Sequence, residues 1–319
     1  MDNTARLIGV DWGSSSLRVF LFGGDGAILD SCNSPSGASQ MQSPADFAKT
    51  LHDCAGHWMQ GRDSAIPVLA CGMVGSKHGW VEAPYLDTPT DCGVLGRSLR
   101  QIQDSKVYLV PGLIHRPENY PPDVMRGEET QIVGALHSLD SNDASVNDLC
   151  IVMPGTHSKW VRVQQQKVVE FATHMTGEMY SVMKHHSVLG RLLPTESGPE
   201  HRDAFVMALD AVRSQPQAGL THQLFAVRTL GLTEKLSAQG LSDYLSGLLI
   251  AHEVQAGLTW SKNSDADGSP LVLIGEPALC SRYQLALDRF GVPVHKVLGN
   301  TAPAGLWRIA SSAGLVRTH

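Results

Sequence analysis

The 319 residues hold no CxxC pair, no long uninterrupted apolar run and no excess of basic charge. Each absence closes off a class of function. The six cysteines (Cys32, Cys54, Cys71, Cys92, Cys150 and Cys280) are scattered, which argues against a zinc site or a disulfide framework. They read as reduced, mostly buried thiols. No stretch reaches the ~18 apolar residues that a membrane span needs. The first residues carry Asp2 and Arg6 before a strand, without the basic segment and apolar core of a signal peptide. A cytoplasmic location is expected. The net charge of −6 supplies no field for gripping nucleic acid. It suits a small-molecule enzyme, which can bind an anion through local dipoles against the global sign.

What the chain does have is one turn made twice. Leu7–Trp12 is an apolar strand run, followed by Gly13-Ser14-Ser15-Ser16 and the alternating Leu17–Phe22. Cys150–Pro154 is followed in the same way by Gly155-Thr156-His157-Ser158 and then Lys159–Val163. Gly13 lines up with Gly155, Ser14 with Thr156 and Ser16 with Ser158. Glycine permits positive φ and close approach to a ligand. Successive amide N–H groups in such a turn form an anion-binding concavity. Two copies facing each other would grip a polyphosphate from both sides, which points to a nucleotide-dependent phosphotransferase of duplicated architecture.

The remaining pattern agrees with a repeat. Strands are expected at 6–11, 17–22 and 27–32, with a Gly23-Gly24-Asp25-Gly26 hairpin turn. Ser43, Pro44 and Asp46 form an N-cap, N1 proline and capping-box acid for a helix to about residue 60. A strand at 66–71 precedes an irregular Gly-rich stretch, 72–89. A strand at 107–110 precedes a proline-rich loop, 111–122, and a helix at 127–137. The polar run 138–148 reads as a linker. Strands follow at 149–154, 159–163 and 167–173, then helices at 178–186, 200–213, 223–230 and 241–258. Strand 271–274, helix 277–290, strand 293–297 and helix 303–313 close the chain. This alternation indicates an α/β fold. Domains are expected at 1–140 and 141–319, with the last helix free to pack back on the first.

Asp11-Trp12-Gly13-Ser14-Ser15-Ser16-Leu17-Arg18 resembles the first phosphate motif of the sugar kinase, hexokinase and actin-like ATPase superfamily. Gly155–Lys159 resembles the second, and Leu273–Leu279, with Gly275 and Glu276, the adenosine motif. Within that superfamily the chain resembles the 2-dehydro-3-deoxygalactonokinase family. Asp11–Arg18, Cys71–Ser76, Met125–Gln131, Pro154–Lys159 and Thr176-Gly177-Glu178 carry the match over nearly the whole length. The resemblance implies two ribonuclease-H-like domains with ATP in the cleft between them. It also implies ATP- and Mg²⁺-dependent phosphorylation of 2-dehydro-3-deoxy-D-galactonate on its terminal 6-hydroxyl, giving a product that an aldolase cleaves.

Candidate site residues follow. Asp11 at a strand end would hold Mg²⁺ through water; a turn Asp capping its own backbone is the competing reading. Gly13, Ser14, Ser15 and Ser16 would bind phosphates on one side. Gly155, Thr156, His157 and Ser158 would bind them on the other. Arg18 is either a solvated residue or a charge over the phosphates. Lys159 is either a phosphate cation or, by default, a surface lysine. Glu128 and Glu129 suit a helix first turn, yet they also look like the Gly-Glu-Glu segment of the exopolyphosphatase branch, where a glutamate acts as base. Glu128 is the first choice, with Glu129 and Asp123 as alternatives. For the sugar acid, Ser76, Lys77 and His78 resemble the sugar-touching loop of other sugar kinases. Arg126 could clamp the carboxylate bidentately. Thr176, Gly177 and Glu178 would close the site. The partners are then a small sugar acid and ATP, with no nucleic acid or membrane; a homodimer is left open. A polyphosphate or nucleotide phosphohydrolase is the alternative enzyme, and a non-catalytic actin-like sugar sensor or assembly protein the alternative of another class.

Overall fold

The computed structural model describes residues 4–59, 66–139, 148–196, 198–262 and 268–316. The expected linker falls largely on 140–147, outside the described residues. Two compact units emerge: Met1–Asn147 with Val163–Phe171 and Asn300–His319, and Asp148–Arg162 with Ala172–Gly299.

The first unit begins with β1 (Leu7–Trp12), β2 (Leu17–Phe22), β3 (Ile28–Ser34) and α1 (Pro44–Met59). It continues through β4 (Val68–Gly72), β5 (Tyr85–Asp87), α2 (Cys92–Arg97), β6 (Arg100–Gln101) and β7 (Val107–Leu109). Then come β8 (Gly112–His115), β9 (Asp123–Met125) and α3 (Glu128–Ser138). The main sheet runs β3-β2-β1-β4-β7-β6. β1 is antiparallel to β2 and parallel to β4, and β4 is parallel to β7. Leu7, Ile8, Val10 and Trp12 are all fully buried. Such a near-continuous apolar run marks a strand covered on both faces. The capping residues of α1 act as read: Asp46 accepts the Ser43 N–H at 2.8 Å. The helix then packs Phe47, Leu51, Ala55 and Trp58 into the core under β1 and β2.

The rest of the chain adds β10 (Asp148–Met153), β11 (Ser158–Gln164), β12 (Lys167–His174), α4 (Thr176–His186), α5 (Arg202–Ser214) and α6 (Leu220–Leu232). It ends with α7 (Ala238–Lys262), β13 (Leu271–Ile274), α8 (Pro277–Arg289), β14 (Val294–Leu298) and α9 (Ala302–Ser312). The second sheet runs β12-β11-β10-β13-β14, with β13 parallel to both β10 and β14. Numbered from each sheet's own first strand, both read 3-2-1 followed by two parallel strands, β4 and β7 in one and β13 and β14 in the other, and the first sheet adds β6 at its edge, antiparallel to β7. This is the ribonuclease-H-like order that the resemblance implies, present twice. In the second unit Phe205 and Leu209 of α5 and Leu245 and Leu248 of α7 form the core with Val152 and Leu273. α9 groups with the first unit, where Gly134 of α3 and Gly305 of α9 let two backbones meet: a Cβ on either would run into the Thr301 or Thr130 carbonyl oxygen. Among the described residues no helix is long and apolar enough to cross a membrane.

Two expectations need correction. The stretch 111–122 is not all loop, because β8 lies inside it, paired with β5 and β9 in a separate three-stranded sheet. Its prolines flank the strand, and its partners are set by tertiary pairing that local composition does not reveal. The cysteines are not all free thiols: Cys32 and Cys54 form a disulfide between β3 and α1, with Cα atoms 6.1 Å apart. The 22-residue separation hides this pairing, since only the packing of α1 on the sheet brings the two together.

Candidate active site

In the first unit the first turn leaves the carboxyl end of β1, where ligands bind in sheets of parallel strands. The Gly13 N–H donates to Ser16 O at 2.9 Å, closing the turn. Residues 36–39 hold it from behind. Trp12 Nε1 donates to Ser36 O at 3.0 Å, Ala38 N to Gly13 O at 2.9 Å and Ser39 N to Ser14 O at 3.0 Å. Ser14 and Ser15 are exposed and Ser16 is half-buried. Gly13 does not use positive φ, nor does Gly155 in the second turn; the glycines that do include Gly72 (+89°) and Gly127 (+108°). What Gly155 provides is room, for a Cβ there would meet nothing within 4 Å.

Three chain segments converge beside the first turn. Asp11 sits across from Arg18 in the β1–β2 ladder, its Oδ2 3.7 Å from the guanidinium. On its other side Cys71 of β4 lies 4.0 Å from Oδ1. Gly72 follows at the end of β4, so close to β1 that a Cβ would stand 2.5 Å from Trp12 O. Gly127 lands on Gly72, with 3.2 Å from its would-be Cβ to the Gly72 Cα, and starts α3. Both positions therefore require glycine for space and for backbone angle. Glu128 and Glu129 follow. Glu128 Oε2 accepts the Arg126 N–H at 3.0 Å, and Glu129 Oε2 accepts the Gly127 N–H at 2.6 Å. These bonds satisfy donors at the helix entrance, the structural role expected of acids there.

The carboxyls are not equivalent. Burial raises Asp11 above its ordinary value; Arg18 opposes that rise and Glu128 adds to it. Glu129, 1% exposed, is pushed up to about 8, first by burial and then by Glu128, with hydrogen bonds from Gly127, its own backbone and Thr130 opposing. Glu128 is half-buried. Asp123 sits in β9 with its carboxylate accepting the Val124 N–H at 2.7 Å.

Arg126 precedes this group. Its guanidinium lies 4.3 Å from the Tyr85 ring centre, donates from Nη2 to Ala83 O at 2.8 Å, and passes so near Gly75 that a Cβ there would be 3.1 Å from Nη1. Its Nε and Nη1 are buried without a hydrogen-bond partner. The 72–76 turn thus meets Arg126 through Gly75. Ser76 is half-buried, while Lys77 and His78 are exposed on the following turn.

In the second unit Thr156 and His157 are exposed like Ser14 and Ser15. Gly177 at the start of α4 presses on the turn: a Cβ would be 2.5 Å from Gly155 O and 2.8 Å from Thr156 Cα. The Glu178 N–H donates to Thr156 O at 3.0 Å, and its carboxylate pairs with His157 Nε2. So Thr176, Gly177 and Glu178 do gather at the second turn. Lys159 is not a surface lysine: it is 3% exposed and its Nζ donates to His157 O at 2.9 Å. Ser158 is fully buried and bonded to the Tyr283 hydroxyl at 3.0 Å. Glu276 caps α8 by accepting the Leu279 N–H at 2.9 Å. The Gly275 N–H donates to Leu298 O at 3.1 Å, at the ends of β13 and β14.

Gly155, Thr156, Thr176, Gly177 and Glu276 open on a cavity of about 580 Å³. That is within the usual size of a small-molecule site. Its wall also holds Tyr180, Lys184, Gln239, Ser242, Asp243 and Arg282 from α4, α7 and α8. Arg282 is anchored to Asp243 at 2.6 Å. None of these was visible as a motif, since they come from separate helices and only the fold assembles them.

A profile of the family described as 2-keto-3-deoxy-galactonokinase matches residues 11–309. The chain is 36% identical over 309 residues to the 2-dehydro-3-deoxygalactonokinase of Escherichia coli K12, covering 96% of this chain and 98% of that one. It is 35% identical over 292 residues, 90% of each chain, to a Rhizobium meliloti strain 1021 protein named as a probable 2-dehydro-3-deoxygalactonokinase. A crystal structure from Sinorhizobium meliloti, described provisionally under that enzyme name, superposes with a TM-score of 0.85 at 32% identity over 96% of this chain and 98% of that one. The ADPNP-bound activator of 2-hydroxyisocaproyl-CoA dehydratase from Clostridium difficile shares the fold, with a TM-score of 0.50 and 12% identity over 98% of this chain and 96% of that one. The chain therefore belongs to the 2-keto-3-deoxy-galactonokinase family and is a carbohydrate kinase.

Proposed function

We propose that this kinase transfers the γ-phosphoryl group of ATP to the 6-hydroxyl of 2-dehydro-3-deoxy-D-galactonate. The observation that carries the sugar-acid reading is Arg126. A guanidinium with Nε and Nη1 buried and lacking acceptors, next to the Glu128 turn, suits an anionic group on the acceptor molecule. Ser76 would meet hydroxyls, with Lys77 and His78 at the rim. Thr176, Gly177 and Glu178 would contribute from the second turn.

The two turns, Gly13–Ser16 and Gly155–His157, would each take nucleotide phosphates, with the adenosine in the cavity beside Gly275 and Glu276. Arg18, His157 and Lys159 would supply positive charge near them. Mg²⁺ is usually held by one or two carboxylates together with water and substrate phosphates. A single half-exposed turn with Asp11 at its root fits that mode, and among the described residues no cluster of three or more ligating side chains offers a closed metal cage. Bound there, the ion would neutralise charge on the phosphates. Phosphoryl transfer otherwise depends mainly on positioning and electrostatics. Glu128 would accept the proton of the 6-hydroxyl as that oxygen bonds to the γ-phosphorus and ADP leaves. Glu129 suits this less, because a carboxyl with its proton held up to about 8 is not an available base at neutral pH.

The test is an ADP-release screen over sugar acids, 2-dehydro-3-deoxy sugar acids and neutral sugars, for wild type and Arg126→Ala. The proposal expects the 2-dehydro-3-deoxy acid to be preferred, with phosphorus–proton correlation placing the product phosphate on C6. Arg126→Ala should raise the KM for the acid about ten-fold or more, the scale of a hydrogen bond to a charged group. Equal use of neutral sugars by the wild type would contradict the reading.

A further inference from the structure

One phenol ties four elements together beneath the second turn. Tyr283 of α8 donates its only hydroxyl proton to Glu253 Oε2 of α7 at 2.6 Å. Its oxygen is then left to accept, and Ser158 Oγ, 3.0 Å away at the start of β11, supplies a proton. Thr176, the first residue of α4, also hydrogen-bonds it. Ser158 Oγ in turn faces the Gly155 N–H at 3.4 Å. The other Glu253 oxygen accepts Trp160 Nε1 at 3.0 Å, and the Trp160 ring lies where a Cβ on Gly257 would sit. Glu253 is 3% exposed and Tyr283 is 1% exposed. The hydrogen bonds therefore run one way, from the phosphate turn through Ser158 and Tyr283 to a buried carboxyl. Chains of this kind polarise one another and are costly when half-broken. Burial and Glu253 push the phenol well above its ordinary value, so it remains a donor throughout the working pH range.

We propose that Tyr283 is a positioning residue for the nucleotide: its hydroxyl fixes Ser158 and Thr176, and so sets the spacing between the Gly155–Thr156 backbone and the start of α4. The inference rests on the reading that the second turn takes ATP phosphates. Ser158 is thus an internal strut and not itself a phosphate ligand, which its full burial requires. The device is invisible in sequence, since the four side chains are spread from residue 158 to residue 283.

The experiment compares wild type, Tyr283→Phe, Ser158→Ala and the double variant by steady-state kinetics, with AMPPNP binding by calorimetry as a second readout. Tyr283→Phe is expected to raise the KM for ATP and the Kd for AMPPNP about five- to ten-fold, the scale of one lost hydrogen bond. The KM for the sugar acid should stay within about two-fold, and the double variant should be no worse than Tyr283→Phe, because the groups act as a unit. Unchanged nucleotide constants, equal shifts in both KM values, or additive losses overturn the proposal. If Tyr283→Phe fails to fold, Tyr283→Phe with Glu253→Gln avoids leaving a buried carboxyl oxygen without its donor and must show the same nucleotide shift. A wild type that binds no AMPPNP would remove the underlying reading. A wild type that binds and turns over while Tyr283→Phe matches it would remove this inference alone.

Discussion

Glu128 and Glu129 are neighbours with different capacities. Glu128 is half-buried and acts electrostatically on Asp11, whereas Glu129 is sealed behind it with its proton retained to about 8. Glu128→Gln should cut turnover about 100-fold or more while AMPPNP affinity changes little, the range expected on losing a general base. Turnover near wild type would send the base assignment to Asp123 or Glu129. Glu129 makes a separate prediction about stability. Its folded-state value is raised from 4.5 to about 8, so as pH rises between these values the unfolded chain gives up a proton that the folded chain keeps. Stability from this group therefore falls with pH, by up to about 5 kcal/mol across the window. Glu129→Gln should gain on wild type progressively from pH 4.5 to 8 in urea unfolding without Mg²⁺. A pH-independent difference would refute the buried, protonated carboxyl.

The segment between β3 and α1 is the element on which the first turn rests. It supplies the Ser36, Ala38 and Ser39 contacts behind Gly13 and Ser14, and the Cys32–Cys54 bond closes a loop around it with a separation of 22 residues. A loop of that length corresponds to about 3 kcal/mol of unfolded-state entropy. Dithiothreitol, or Cys32→Ser with Cys54→Ser, should lower the unfolding midpoint accordingly; no change would mean the bond adds nothing to stability. The cysteine pair also shows where the sequence stops being readable. Motifs carried by adjacent residues, such as Gly13–Ser16, the Ser43–Asp46 cap and the Gly127–Glu129 helix entrance, were legible because local chemistry decides them. Of the two properties expected of glycine in the phosphate turns, positive φ is used by neither Gly13 nor Gly155, while Gly155 leaves open space for close approach; positive φ occurs instead at Gly72 and Gly127, outside those turns. β8 was hidden between prolines because its neighbours β5 and β9 define it. Lys159 holds the position in the second strand–turn–strand that Leu17 holds in the first, and both are buried; its charged residue type concealed this equivalence.

At the scale of the molecule, duplication is the organising fact. The order 3-2-1 followed by two parallel strands appears in both large sheets, and each first strand ends in a turn whose second and third residues are exposed. The acidic cluster and Arg126 belong to the first unit, and the 580 Å³ cavity belongs to the second. On the proposed reading, Arg126 is what separates this site from that of a phosphohydrolase of the same fold, which would bind no sugar acid. The most direct measurement is ADP release from ATP and Mg²⁺ with and without 2-dehydro-3-deoxy-D-galactonate, followed against consumption of the acid. The account predicts one ADP for each acid consumed and little release in its absence. ADP released at the same rate in plain buffer, with the acid recovered unchanged, would contradict it.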